Sequence, residues 1–443
     1  MIATTPMTPT PAPIASLNAA TNSPTRVAMA SFIGTAIEFF DFYVFATAAA
    51  LVIGPTFFPQ DSAAAQTLYA FLTFGIAFLA RPIGSAIFGH FGDRIGRKST
   101  LVASLLLMGL STTLIGFLPG YNSIGALAPV LLCLLRFAQG LGLGGEWGGA
   151  VLLAAENAPT GKRGWYSMFP QLGPPVGFLC ANGLFFGLAM CLSEQQFKLW
   201  GWRIPFILSA ALVLVGLYVR LKLHESAVFV ASRQQQARVA GAEKIPLVTV
   251  FTEHLKPVIQ GSLAMVVCYA LFYIATVFSL SYGVSKLHFA KPDFLALLCL
   301  AVLFMGISIP VSAWASDKWG RRPVLLLGSG LALLSGFAMQ PLLGSGSTVL
   351  VALFLIIELF LMGFTFGPMG ALLPEIFPTS VRYTGASISY NTGGIIGASI
   401  APFIAQMLVE RGGLSWVGYY VSIAALLSFL AVYSMRETRH VEL

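Results

Sequence analysis

Residues 324–373 read VLLLGSGLALLSGFAMQPLLGSGSTVLVALFLIIELFLMGFTFGPMGALL, with one ionisable side chain, Glu358. A helix crosses a bilayer with about 20 apolar residues. The stretch holds two such segments, divided by Gly344-Ser345-Gly346-Ser347. Working outward, Leu101–Phe117 and Val417–Val432 carry no charge at all. Of the 443 residues, 57% are hydrophobic and 9% charged, against about 25% charged in an ordinary soluble domain. With a mean hydropathy of +0.82, the chain has too little polar surface to be covered by water. Only helix bundles and closed barrels satisfy their backbone in hydrocarbon, and barrel strands would alternate polar with apolar residues. The expected fold is therefore an all-α membrane protein. Its twelve transmembrane helices are expected near 27–53, 66–88, 99–118, 127–151, 163–190, 203–222, 256–284, 293–315, 324–343, 348–372, 382–410 and 415–434.

The first 25 residues, rich in Pro, Thr and Ala and free of charge, are expected to form a disordered cytoplasmic tail. Two six-helix bundles, 26–222 and 256–436, flank a central cytoplasmic loop at 223–255, and 437–443 form a second tail. Lysine and arginine placement sets orientation. Eighteen of the 25 fall on the side of the termini and five on the other, with Arg81 and Arg136 inside the membrane. Both termini are thus expected to be cytoplasmic. The excess of +8 suits an anionic leaflet and needs no nucleic acid. Cys133, Cys180, Cys191, Cys268 and Cys299 lack metal-ligand spacing and read as small core residues.

The halves repeat the same punctuation. Gly89-His90-Phe91-Gly92-Asp93-Arg94-Ile95-Gly96-Arg97-Lys98 stands between spans two and three, and Ala313-Trp314-Ala315-Ser316-Asp317-Lys318-Trp319-Gly320-Arg321-Arg322 between eight and nine. Asp317 follows Asp93 by 224 residues. Glu156 and Arg163 between spans four and five recur 219 residues later as Glu375 and Arg382. Duplicated halves are the build of alternating-access transporters. The first segment resembles the loop signature of the major facilitator superfamily, and the resemblance covers about 26–440. Ile37-Glu38-Phe39-Phe40-Asp41-Phe42-Tyr43, Arg136-Phe137-Ala138-Gln139-Gly140 with Gly144-Gly145-Glu146-Trp147-Gly148-Gly149, and Gly201-Trp202-Arg203-Ile204-Pro205-Phe206 resemble its metabolite:proton symporter branch. That branch includes permeases for shikimate, α-ketoglutarate, citrate and proline/betaine. The resemblance implies two pseudo-symmetric bundles in a bacterial-type inner membrane.

Ionisable groups inside a membrane cost about 2.5–3.5 kcal/mol each on insertion scales and are functional candidates by default. Glu38 and Asp41, three residues apart, share a helix face. At about 1.5 Å per residue, Asp41 and Arg136 reach the same depth. An Asp41–Arg136 pair is expected, whose carboxylate takes up the coupled proton; Glu38 shares that role. Arg136, Gln139, Leu143 and Glu146 share one face of span four, and Gly140, Gly144 and Gly148 form a packing ladder on another. For Arg81 and Glu146, both nearer the cytoplasm, a gate pair and substrate binding fit equally. Glu358 fits a second proton site, a substrate contact or a protonated core glutamate. Substrate contacts are expected from Arg136, Arg81, Gln139, Tyr43, Gln171, Asn182, Tyr269, Tyr273, Tyr390 and Asn391.

By resemblance, Asp93 with Arg94 and Arg97 is the superfamily's cytoplasmic latch, able also to reach Arg163. Glu156–Arg163 and Glu375–Arg382 would be further ties. Asp317 with Arg321 and Arg322 repeats the latch with Ala313 for the first glycine and Lys318 for the arginine, so a weaker copy is expected. The expected function is proton-coupled import of a small polar metabolite by alternating access, an organic acid first and a zwitterionic osmolyte such as betaine second. The alternative is an exporter or antiporter, faintly supported by Gly173-Pro174-Pro175-Val176-Gly177. A sugar is disfavoured, because span seven has Tyr269 and Tyr273 where the sugar branch has paired glutamines. Neither a P-loop nor a zinc-protease motif is present, so no enzyme is expected. No metal or cofactor is expected beyond the proton gradient, and the partners are small molecule, protons and lipid around a monomer.

Overall fold

A computed structural model of the chain describes residues 23–59, 62–95, 97–221, 246–379 and 381–441; among these, the side chains of 63, 64, 67, 90, 92–95, 97 and 98 lie outside the description. The expected tail up to 22 and the loop over 222–245 also fall outside the described residues. Among the described residues, twelve helices are long and apolar enough to cross a membrane: α1 Pro24–Phe57, α2 Leu68–Gly89, α3 Ser99–Phe117, α4 Leu127–Glu156, α5 Arg163–Cys191, α6 Gly201–Leu221, α7 Leu255–Ser285, α8 Lys291–Trp319, α9 Arg321–Ser345, α10 Thr348–Glu375, α11 Arg382–Gly412 and α12 Leu414–Tyr433. The expected spans agree within a few residues. An even number of passes returns the chain to its starting side, the termini face; the opposite side is the far face.

Local chemistry explains the ends and bends. The Ser23 hydroxyl accepts from the Arg26 amide at 3.3 Å and Pro24 opens the first turn of α1, as helix starts favour. Gly320, with φ of +106°, separates α8 from α9 in a backbone region that side chains resist. Prolines 170, 174 and 175 flank a break at Leu172 in α5. Wide π turns at Ala49–Ile53, Ile274–Phe278 and Ile395–Ser399 interrupt α1, α7 and α11. Two of these three are the first helices of their halves, consistent with duplication, and such turns mark functional stretches.

The glycine ladder closes the N-terminal half. Gly140 and Gly144 of α4 lie against the carbonyls of Ala77 and Arg81 in α2, where a Cβ would collide with backbone. Gly148 lies against the Ser387 hydroxyl of α11, in the other half. Across the seam, α5 runs beside α8 and α11 beside α2 and α4.

Two expectations need correction. Part of the central loop is helical: Pro246–Glu253 packs Val250 against Val258, Phe377, Val381 and Ile388. Of the cysteines, only Cys268 is buried; Cys180 and Cys191 are exposed on the outward side of α5.

Candidate functional site

An aromatic cage stands at the middle of the seam. The buried Arg81 guanidinium lies 4.6 Å from the ring centre of Phe42 in α1 and 4.4 Å from that of Phe78 in α2, two rings set edge-to-face. Tyr273 and Tyr269 of α7 lie 5.5 and 6.4 Å from the Phe78 ring, and Tyr390 of α11 lies 5.5 Å from Tyr269. Tyr43 stacks on Phe272 at 5.2 Å. Arg81 Nε and Nη2 have no hydrogen-bond partner. The structure thus brings Arg81, Tyr43, Tyr269, Tyr273 and Tyr390 together, all expected at a binding site.

Arg136 sits one layer deeper in the N-terminal half, and its donors are committed. It lies 3.8 Å above the Phe45 ring, donates to the carbonyls of Thr73 and Phe74 at 3.5 and 3.2 Å, and bonds the Gln139 side chain. Gln139 in turn donates to the Asp41 carbonyl at 3.2 Å and the Thr112 hydroxyl at 2.8 Å. The expected Asp41–Arg136 ion pair is therefore not formed. Gln139, one helical turn along α4, occupies the guanidinium, and Phe45, one turn along α1 from Asp41, takes its face. Both Asp41 carboxyl oxygens are buried without a hydrogen-bond partner; Thr112 and Ser209 are the polar neighbours. An ionised carboxylate left unpaired there would cost several kcal/mol.

Glu146 pairs with Arg220 of α6, not with Arg81 as one reading of the sequence had it. Arg220 also donates to the Leu101 carbonyl. Sequence reasoning counted Arg220, at the end of the sixth span, only among the cations on the side of the termini, yet Ser209, Val213, Gly216 and Arg220 are buried along one helical face of α6; that periodicity was the missed signal. Glu38 lies between two cations: Gly34, one turn before it, abuts Arg220, and Phe42, one turn after it, abuts Arg81. Breaking the Glu146–Arg220 pair should cost about 3–5 kcal/mol. Glu146→Gln should therefore unfold at markedly lower temperature in detergent, and the double variant with Arg220→Met should recover most of the loss; an unchanged melting temperature for the single variant would contradict the pairing.

Toward the termini face the seam is sewn shut. Trp147 of α4 stacks on Tyr390 with ring centres 3.9 Å apart and donates to Gln171 at 2.8 Å, and Gln171 donates to the Phe366 carbonyl at 2.9 Å. Asn391 donates to the Ser85 hydroxyl at 2.6 Å and the Gly144 carbonyl at 3.2 Å, and Tyr383 to the Gly145 carbonyl. Gln171 and Asn391 were expected to touch substrate; instead their amide donors tie the halves. Asn182 accepts from Thr47 at 2.8 Å, and both line a far-side cleft of about 10 Å³ with Tyr43, Phe178, Thr276 and Leu298, room for roughly one water.

The latch at the termini face is built on Asp317. Its two oxygens accept the Gly164 and Trp165 amides at the start of α5, both at 2.8 Å, and Arg321 at 2.7 Å. Arg321 continues to Glu375 at 3.2 Å. The copy expected to be weak is complete, because Ala313 and Lys318 lie outside these bonds; Lys318 instead sits 5.2 Å over Trp314. Glu375 engages Arg321 and the Thr438 hydroxyl, and Arg382 Nε donates to the Pro374 and Phe377 carbonyls, which replaces the expected Glu375–Arg382 tie. Arg163, expected to tie to Glu156, donates to the Val441 carbonyl. The expected second tail begins with a docked residue: Glu437 accepts the Arg321 and Arg322 amides at 2.8 and 3.0 Å, capping α9. The Asp93, Arg94 and Arg97 side chains lie outside the described residues. At the far face, Lys291 approaches Glu194 across the seam at 3.7 Å, the lysine half-buried and the glutamate exposed, a contact worth little. The halves are thus bound tightly at the termini face and loosely at the far face.

Glu358 stands apart from this constellation, buried within the C-terminal half with Ser335 of α9 as its polar neighbour. Among the described residues no cluster of side chains suits a metal ion.

A family profile described as "Sugar (and other) transporter" matches residues 27–245 and 254–443. An inner membrane metabolite transport protein of Escherichia coli is 54% identical over 424 residues, covering 95% of this chain and 96% of the relative. The shikimate transporter of the same organism is 37% identical over 418 residues, covering 94% and 95%. Among solved structures, the proton:xylose symporter XylE bound to 6-bromo-6-deoxy-D-glucose superposes with a TM-score of 0.76 at 18% identity, covering 94% of this chain and 96% of that one. At that identity the likeness concerns the fold: two six-helix bundles of major facilitator type.

Proposed function

This chain belongs to the sugar (and other) transporter family, and we propose that within it the protein imports a small organic acid together with protons, across an inner membrane with both termini cytoplasmic. The observation that carries this reading is Arg81, a buried guanidinium with free donors in an aromatic cage at the seam of the halves. A carboxylate satisfies such donors better than any neutral group. Asp41, buried without a cation partner, is the proton carrier, and Gln139 links its helix to Arg136 by donating to the Asp41 carbonyl while bonding the guanidinium. Rocking of the halves about the cage would expose it to each side in turn. The surplus of lysine and arginine on the termini face supports a cytoplasmic location for that face, and the shikimate transporter among the relatives supports an acid as passenger.

A zwitterionic osmolyte is the second reading, favoured by the same cage, since aromatic rings also hold quaternary ammonium groups. Uptake into proteoliposomes under an imposed pH gradient separates the two. Shikimate, which does not cross protein-free vesicles, should accumulate when protons run inward and stop when a protonophore is added. Accumulation of glycine betaine or proline with no acid moved would overturn the acid reading, and efflux driven by the inward gradient would overturn import.

A further inference from the structure

We propose that an anionic phospholipid such as phosphatidylglycerol seats its headgroup at the termini face where α8 ends, on Lys318 and Arg439, with its acyl chains laid along the outer side of α8. This seat lies outside the aromatic cage and does not depend on the passenger.

Before Trp319, the exposed large apolar side chains of α8 are Leu300, Leu303, Ile307, Val311 and Trp314. Spaced three and four apart, they form one stripe down the helix. The stripe ends on an aromatic corner. Trp314 and Trp319, 50% and 60% exposed, stand edge-to-face with ring centres 5.9 Å apart, and the Lys318 ammonium lies 5.2 and 6.0 Å from those centres. Exposed Arg439 donates to the Lys318 carbonyl at 2.7 Å, so a second cation stands at the same helix end. Trp165 of α5, also exposed, is held beside it by the bond from its amide to Asp317. Tryptophan favours the level where hydrocarbon meets headgroups, which puts the stripe among acyl chains and the two cations among phosphates.

The acids of this corner are turned elsewhere. Asp317 accepts the Gly164 and Trp165 amides and Arg321, Glu375 meets Arg321 and Thr438, and Glu437 accepts the amides of Arg321, Arg322, Thr438 and Arg439. Among the described residues none of these acids pairs with Lys318 or Arg439. The corner therefore calls for an anion with an apolar tail. A phosphodiester supplies the charge, which lysine and arginine both bind, and its acyl chains cover the stripe. A zwitterionic headgroup matches less well, because its ammonium would lie against Lys318 and Arg439. Free phosphate would leave the stripe and the tryptophans uncovered.

Purified protein in detergent, titrated with phosphatidylglycerol or phosphatidylcholine carrying brominated acyl chains, tests this through quenching of tryptophan fluorescence. Each lysine or arginine near a membrane surface is worth about fivefold in affinity for anionic lipid, so phosphatidylglycerol should begin to quench at roughly 25-fold lower mole fraction than phosphatidylcholine. Most of that early component should be lost when Trp314→Phe and Trp319→Phe are combined. Lys318→Gln should reduce the preference about fivefold, and Lys318→Gln with Arg439→Gln should abolish it, whereas Lys198→Gln with Lys286→Gln at the far face should leave it unchanged. Potassium phosphate should reverse the quenching no more than potassium chloride of the same ionic strength. Equal quenching by the two lipids would overturn the inference, as would an early component that survives in the double tryptophan variant or in a folded Lys318→Gln, Arg439→Gln variant. Displacement by phosphate beyond the chloride control would assign the corner to a soluble anion and overturn the lipid.

Discussion

Asp41→Asn is expected to abolish gradient-driven accumulation while leaving counterflow exchange of the same acid. The asparagine mimics the protonated carboxyl, fits the space beside Thr112 and Ser209, and cannot release a proton on the cytoplasmic side. A one-to-one symport carries its substrate to about a tenfold ratio per pH unit of gradient, the equivalent of 1.4 kcal/mol. The variant should bring that ratio to about one, with exchange of labelled for unlabelled acid retained. Accumulation at the wild-type level would contradict the role of Asp41, because no substitute carboxyl of the same cluster lies free of a cation: Glu146 is paired with Arg220, and Glu38 lies between two arginines.

Asp317→Ala is the second large effect. Its carboxylate accepts two amides from across the seam and holds Arg321 in line with Glu375. Hydrogen bonds to a charged group are worth about 1.5–3 kcal/mol each, so losing the two that cross the seam should shift the equilibrium by about 3–6 kcal/mol toward opening at the termini face. That is roughly a hundredfold to ten-thousandfold change in population. Spin labels at Thr160 and Trp319 would report it as a new, longer distance in the variant. An unchanged distance distribution would show that the latch does not set the resting state.

The twelve helices were legible because lipid imposes one rule on every residue of a span, and a run such as 324–373 with Glu358 alone cannot satisfy it otherwise. The duplicated latch was legible for the same kind of reason, since its residues recur at fixed spacing. What escaped were partners chosen across space. Asp41 and Arg136 do reach one depth, but only packing reveals that Gln139 stands between them and that Phe45 takes the guanidinium face. Arg220 was counted only as an orienting cation because it ends a span, although its periodicity with Gly216 and Val213 pointed inward. Glu437 and Thr438, read as part of the second tail, cap α9 and meet Glu375, an attachment that no local spacing encodes. Gln171 and Asn391 were rightly placed on converging polar faces; which polar faces bind substrate and which bind each other depends on where every donor ends up.

The account turns on a proton that enters with each acid. Its most direct test is charge movement during uptake of a non-permeant monocarboxylate such as shikimate into proteoliposomes, with membrane current and internal pH recorded together. One proton should enter with each acid and no net current should flow at any imposed potential. A sustained inward current, or uptake without internal acidification, would contradict it.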